Sequence, residues 1–172
     1  ISPNNIYFVC NKNNINKISK RFPKAKTVLQ KNLNGTTNAV LCTKKILPKK
    51  KDVLILYGDV PLIKYSSIKR LIGIHKRSKG IGGLLIFKSN NPKGYGRVET
   101  EGGVIKKITE EVQATRKIQQ INLCNSGIMI CKQSFLFSHL RKIRDKNKKK
   151  EKFITDIFEI AYKLKKPFYG IN

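Results

Sequence analysis

Residues 52–61 read Asp52-Val53-Leu54-Ile55-Leu56-Tyr57-Gly58-Asp59-Val60-Pro61. The apolar run from Val53 is short, aliphatic and ends abruptly at Tyr57-Gly58-Asp59. Such a run suits a strand buried on both faces of a parallel sheet. Pro61 has no N–H to donate and stops the ladder. Asp59 is therefore predicted just past the C-terminal end of a central strand, the edge at which open α/β sheets bind ligands. A carboxylate there can hold a divalent metal against a phosphate. The alternative is an Asp that merely caps a turn.

Outward from this stretch, strand-like and helix-like segments alternate. Residues 6–10, 26–29, 53–57 and 82–87 read as strands. Residues 15–22, 36–47 and 65–79 carry apolar residues at helical spacing, with Ser66 or Ser67 available to cap the third helix. The pattern then changes. Residues 97–100 and 104–109 are short strands around Glu101-Gly102-Gly103, a hairpin turn. Residues 128–130 form a strand core, 134–143 and 154–164 are helical, 145–152 is a charged loop, and 168–171 is a last strand. Strands alternating with helices imply βαβ units. The predicted fold is a Rossmann-like α/β domain, a mixed, mostly parallel sheet flanked by helices, with an inserted β-hairpin.

The chain has 172 residues, the length of one ordinary domain, and 40% of them are apolar. No stretch is long enough to span a bilayer, and the start at Ile1 lacks both Met and a signal-peptide pattern, as in a fragment or processed piece. The formal charge is +27. Lysines outnumber arginines 30 to 7, whereas nucleic-acid interfaces favour the planar Arg fork. The excess reads as A/T-rich codon usage, and no specific nucleic-acid partner is expected. The four cysteines (Cys10, Cys42, Cys124, Cys131) form no C-x-x-C pair, which argues against zinc and for reduced thiols in a cytoplasmic protein.

Four further groups can carry chemistry. Gln30 ends a strand before Asn34-Gly35-Thr36. Its amide offers the donor and acceptor needed to read a pyrimidine edge, and Gly35 lets backbone approach a ligand; otherwise this is a polar loop with Thr36 as N-cap. Gly94-Tyr95-Gly96-Arg97 is a loop able to turn N–H groups to a ligand, or a turn entering the hairpin. Glu110-Glu111 ends a hairpin strand in a chain poor in carboxylates; solvated pairing with lysine is the alternative. Asn125-Ser126-Gly127 precedes an apolar strand, and its amide suits a sugar hydroxyl, unless it is another turn. No Ser-His-Asp order, nucleophile elbow or paired acid/base motif appears. The chemistry on offer is positioning and metal binding.

In order and spacing, Val28-Leu29-Gln30 with Gly35-Thr36, Leu56-Tyr57-Gly58-Asp59-Val60-Pro61-Leu62, Gly94-Tyr95-Gly96-Arg97, Ile108-Thr109-Glu110, Asn125-Ser126-Gly127 and Ile154-Thr155-Asp156-Ile157 resemble one family. It is the uridylyltransferase domain of the bifunctional bacterial enzyme that makes UDP-N-acetylglucosamine, a cell-wall precursor. The resemblance implies that Gln30 reads uracil beside Gly35 and Thr36. Tyr57 and Gly58 would line the ribose, and Asp59 would coordinate Mg²⁺. Gly96, Glu110 and Asn125 would hold N-acetylglucosamine. The substrates would be UTP and N-acetylglucosamine-1-phosphate, with pyrophosphate released. Thr37, Asn38, Val112 and Leu123 stand where the family usually has a small residue, His, Lys and an acidic residue. The family's first strand and Gly-rich triphosphate loop would precede Ile1, a second metal-binding Asn would follow Asn172, and the acetyltransferase β-helix is absent. Residues 1–172 are thus expected to be one incomplete domain of doubtful activity alone, completed by an N-terminal segment or a second chain. The rival expectations are another sugar-1-phosphate nucleotidyltransferase and a basic binding remnant that has lost catalysis.

Overall fold

A computed structural model describes residues 1–143 and 151–172. Most of the charged loop expected at 145–152 lies outside the described residues. The chain divides into two compact units, Ile1–Lys49 with Phe137–Ile154, and Lys50–Leu136 with Thr155–Asn172.

In the first unit, strands β1 (Tyr7–Cys10) and β2 (Lys26–Leu29) pair in parallel, from Tyr7 opposite Lys26 to Cys10 opposite Leu29. Parallel pairing needs a crossover, and helix α1 (Ile15–Arg21) supplies it. Phe22, just past that helix, stacks on Phe8 of β1 with ring centroids 5.0 Å apart. Helix α2 (Thr36–Cys42) follows and is shorter than its predicted extent of 36–47.

The second unit holds a six-stranded sheet. Its elements are β3 (Asp52–Ile55), α3 (Tyr65–Arg77), β4 (Gly82–Lys88), β5 (Arg97–Glu101), β6 (Val104–Thr109), α4 (Arg116–Gln119), β7 (Leu123–Lys132), α6 (Asp156–Lys163) and β8 (Phe168–Ile171), with α5 (Gln133–His139) following β7. The strand order is β3-β7-β4-β8-β6-β5, and Arg97 of β5 also pairs with Cys124 of β7, which closes the last five strands on themselves. The hairpin stands where expected. Gly102 and Gly103 have φ of +55° and +78°, the two positive values that a type I′ turn requires.

The mixed α/β architecture agrees with the sequence reading, but three features differ. The sheet is mostly antiparallel: only β4–β8 and the separate β1–β2 pair are parallel. The inserted hairpin reverses the chain between β4 and β7, and a periodicity argument does not sense strand direction. β3 is not central. Among the described residues it is the edge strand, antiparallel to β7, half-buried and ended at Ile55. Third, α3 begins at Tyr65, after Lys64, with no side-chain cap from Ser66 or Ser67.

Helices cover both faces of this sheet. Leu71 of α3 packs with Leu85, Ile128, Ile130 and Ile171. Alternation puts Phe168 on the opposite face from Ile171, where its ring meets Phe158 of α6 at 4.8 Å. His75 of α3, buried, reaches Asp52 at the start of β3 with Nε2 3.0 Å from the carboxylate. Cys10, Cys124 and Cys131 are buried, Cys42 is half-buried, and all four are free thiols. Burial pushes the Cys131 thiol strongly up, and Asp52 adds to it, so it packs as a small apolar group. No described helix is long and apolar enough to cross a membrane.

Gly82 is a demanding position in the sheet. A Cβ there would lie 2.1 Å from a Phe168 ring carbon and 2.5 Å from the Ile130 carbonyl oxygen. Gly82→Ala should destabilise by about 3 kcal/mol, the upper end of overpacking costs. Gly102→Ala, with open space around it but positive φ, should cost only about 1 kcal/mol. Urea denaturation of both variants measures the difference, and equal midpoints would contradict the packing described.

Candidate functional site

The second unit brings together most of the residues singled out in the sequence. The bulged strand β7 is their common support. Between the pairs Leu84–Met129 and Ile86–Asn125, β4 has one residue and β7 has three. Asn125-Ser126-Gly127 is therefore part of a ten-residue strand, not a turn before one. Gly127 takes φ +77°, and a Cβ there would lie 2.6 Å from the Tyr57 ring, so Tyr57 lies directly over it. The Asn125 Oδ1 accepts the Gly127 N–H at 2.8 Å. That leaves the amide's N–H groups without a partner among the described residues, hence able to donate to a ligand.

Gly96, at the mouth of the hairpin, is tied to Asn125: the Asn125 N–H donates to the Gly96 carbonyl at 2.9 Å. A Cβ on Gly96 would lie 3.3 Å from Glu110 Oε2, 3.6 Å from the Asn125 Cβ and 3.2 Å from Ile108. Gly96, Glu110 and Asn125 thus lie against one another, and a side chain at 96 would press on the other two. Glu110 follows the end of β6. Its other oxygen, Oε1, accepts a 2.6 Å hydrogen bond from the hydroxyl of Thr155, a buried residue at the start of α6. Thr155 lies in a motif noted in the sequence, but the sequence reading gave it no role. No local signal joins two residues 45 positions apart.

Asp59 sits in an exposed turn closed by the Val60 N–H on the Tyr57 carbonyl at 3.3 Å. It makes no ion pair or hydrogen bond among the described residues. Those residues contain no group of three side chains able to cage a metal. Mg²⁺ does not need one, since it is commonly held by one or two carboxylates plus substrate phosphates and water. A free, solvent-facing carboxylate fits that mode. Gly58 has open space where a side chain would project.

The remaining three residues lie in the first unit. The Gln30 amide nitrogen donates to the carbonyls of Asn32 at 2.9 Å and Gly35 at 3.4 Å. Its amide donor thus shapes the loop, and its carbonyl oxygen has no hydrogen-bond partner among the described residues. Gly35 has φ +102°, and a Cβ there would lie 2.6 Å from the Lys152 carbonyl oxygen. The close backbone approach foreseen for a ligand is made by Lys152. Thr36 is not an N-cap: it is the first residue of α2, and its hydroxyl accepts the Ile154 N–H at 3.1 Å.

A profile of the family described as nucleotidyl transferase matches residues 2–172. The chain belongs to the nucleotidyl transferase family. Two relatives, each named bifunctional protein GlmU, are 37% identical over 136 residues (Fervidobacterium nodosum) and 40% identical over 136 residues (Thermosipho africanus). Each match covers 79% of this chain and 30% of the relative, so the chain spans less than a third of their length. A solved UDP-glucose pyrophosphorylase complexed with UDP-glucose superposes with a TM-score of 0.66 at 21% identity, over 92% of this chain and 63% of that one. This likeness shows the nucleotidyltransferase fold. Nucleotidyl transferases of this family generally use Mg²⁺.

The Glu110 carboxyl is raised above its ordinary value of 4.5, first by burial and then by nearby Asp156, while the Thr155 hydroxyl pulls it down. A carboxyl raised by folding binds its proton more tightly folded than unfolded. Its contribution to stability is present at low pH and is lost as pH rises from the unfolded toward the folded value. Glu110→Gln cannot titrate and should flatten that decline, so its Tm gains on wild type as pH rises through this window. Thr155→Val should push the Glu110 titration, followed by its side-chain carboxyl NMR signal, further up. Parallel Tm profiles and an unmoved titration would contradict the desolvated Glu110–Thr155 contact.

Proposed function

We propose that this chain is the core of a Mg²⁺-dependent uridylyltransferase that joins UTP to N-acetylglucosamine-1-phosphate, making UDP-N-acetylglucosamine and pyrophosphate. The observation that carries the reading is the convergence of Gly96, Glu110 and Asn125, with Tyr57 lying over Gly127, two residues on from Asn125. It offers a peptide group, a carboxylate acceptor and an amide donor, a neutral-to-acidic set suited to the hydroxyls and acetamido group of a sugar. The GlmU relatives support the choice of N-acetylglucosamine over glucose.

In this reading a phosphate oxygen of the sugar phosphate attacks the α-phosphorus of UTP, and the bond to the bridging oxygen breaks as pyrophosphate leaves. No proton transfer or covalent intermediate is required. Such a step gains mostly from holding the two phosphates in line and offsetting their charge. Glu110 and Asn125 orient the sugar, with Gly96 leaving room for it. Tyr57 packs beside the ribose, and the Gln30 carbonyl oxygen accepts from uracil, with Gly35 and Thr36 shaping its loop. Asp59 would hold Mg²⁺, which when bound supplies charge neutralisation at the phosphates. We place the protein in the cytoplasm, where nucleoside triphosphates and reduced thiols are maintained.

Calorimetric titration tests this on the chain itself. UDP-N-acetylglucosamine should bind more tightly than UDP-glucose, and added Mg²⁺ should strengthen its binding. Asp59→Ala should remove the Mg²⁺-dependent gain and leave Mg²⁺-free binding near wild type. Pyrophosphate release from UTP and N-acetylglucosamine-1-phosphate should be slow at best in wild type and absent in the variant. Preference for UDP-glucose would redirect the sugar assignment. Absence of any uridine-nucleotide binding would overturn the function, and an intact Mg²⁺ effect in Asp59→Ala would refute the metal role.

A further inference from the structure

Two residues next to the proposed sugar-facing group are joined to each other. Arg97 follows Gly96, and Glu111 follows Glu110. The Arg97 side chain is 2% exposed, and its Nη1 lies 2.7 Å from Glu111 Oε2. The same guanidinium donates from Nη1 to the Tyr95 carbonyl and from Nε to the Gln119 carbonyl at 3.4 Å. One side chain therefore grips the loop before Gly96, the turn after Glu110 and the end of α4. Its backbone sits opposite Thr109 on one side and Cys124 on the other, so it also stands beside the neighbours of Glu110 and Asn125.

Stability alone does not account for this pair. The Glu111 side chain is 30% exposed, and an ion pair between a buried and a part-exposed group contributes modestly at best. A guanidinium, with its charge and several donors spread over a rigid plane, can pair with the carboxylate while donating to two carbonyls. We infer that Arg97 and Glu111 form a positioning pair that fixes Gly96 against Glu110 and Asn125, setting the geometry of the sugar-binding space without touching the sugar. This role rests on the sugar reading above, but the positioning itself does not.

The experiment combines amide NMR spectra with titration of UDP-N-acetylglucosamine into the 172-residue chain and its variants. The double variant Arg97→Met with Glu111→Leu removes both charges and keeps apolar volume. It should fold with a Tm within about 5 °C of wild type, as buried pairs replaced together usually do. Its Gly96, Glu110 and Asn125 amide signals should move, and its affinity should fall at least about tenfold, the scale set by small misplacements of a bound group. Arg97→Lys keeps the charge but not the fork, and should not restore either readout. Should the double variant fail to fold, Glu111→Gln, which keeps shape and loses charge, should still move the Gly96 and Glu110 signals. A folded variant with those three signals in place and wild-type affinity would overturn the inference. A wild-type chain that binds no UDP-N-acetylglucosamine would sink the functional reading alone, because the amide signals would still judge the pair.

Discussion

The bulge in β7 is the constraint from which the rest of the site follows. Three residues there oppose one on β4, and a bulge normally leaves backbone groups unpaired. Here the bulge satisfies itself. The Ser126 hydroxyl donates to the Leu85 carbonyl at 2.7 Å and accepts the Ile128 N–H at 3.2 Å. Asn125 accepts the Gly127 N–H through its side chain. The distortion is therefore held by hydrogen bonds within its own strand and the neighbouring β4. It gives Tyr57, at the tip of the β3 segment, a flat glycine surface to lie on, and it turns Asn125 toward Gly96.

This explains why the carboxylates of the second unit divide into two kinds. Asp52 is spent on His75, Glu111 on Arg97 and Glu110 on Thr155, and Glu101 accepts from the Tyr162 hydroxyl. Asp59 has no such engagement among the described residues, and neither does Glu99, although the chain carries 37 basic side chains. The Asp59 carboxylate, left free amid so much positive charge, sits where the backbone turn holds it outward, and the turn is closed by Tyr57, the residue anchored on Gly127.

Local patterns in the sequence carried much of this. The hairpin was legible because Gly102 and Gly103 can both adopt positive φ, and most strand ends were legible to within a residue or two from apolar runs; β7 was the exception, read as 128–130 where it runs Leu123–Lys132. Strand direction was not, since an apolar run has the same pattern in parallel and antiparallel sheets, and β3 was misplaced to the sheet centre for that reason. Asn125-Ser126-Gly127 looked like a turn because turn and bulge use the same small polar residues. Gly35 and Thr36 were read as facing a ligand or capping a helix; the segment near Lys152 and Ile154 that they meet is more than 110 residues away (Thr36 to Ile154 spans 118) and leaves no local trace. Glu111 was read only with its neighbour as a pair of acids, since nothing local shows that successive carboxylates serve different partners.

The excess of lysine bears on affinity more than on selectivity. Charge spread over an exposed surface draws in any polyphosphate, and that attraction fades within about 8 Å at physiological salt. It cannot tell one nucleotide sugar from another. In the reading proposed above, discrimination comes from groups whose contacts depend on geometry and little on ionic strength: the Gly96 peptide, the Asn125 amide and the desolvated Glu110. These three are held by a strand bulge, the Arg97–Glu111 ion pair and the buried Thr155 hydroxyl. Substitution among the exposed lysines can therefore alter how strongly polyanions gather at the protein while leaving the shape of the sugar-facing space intact.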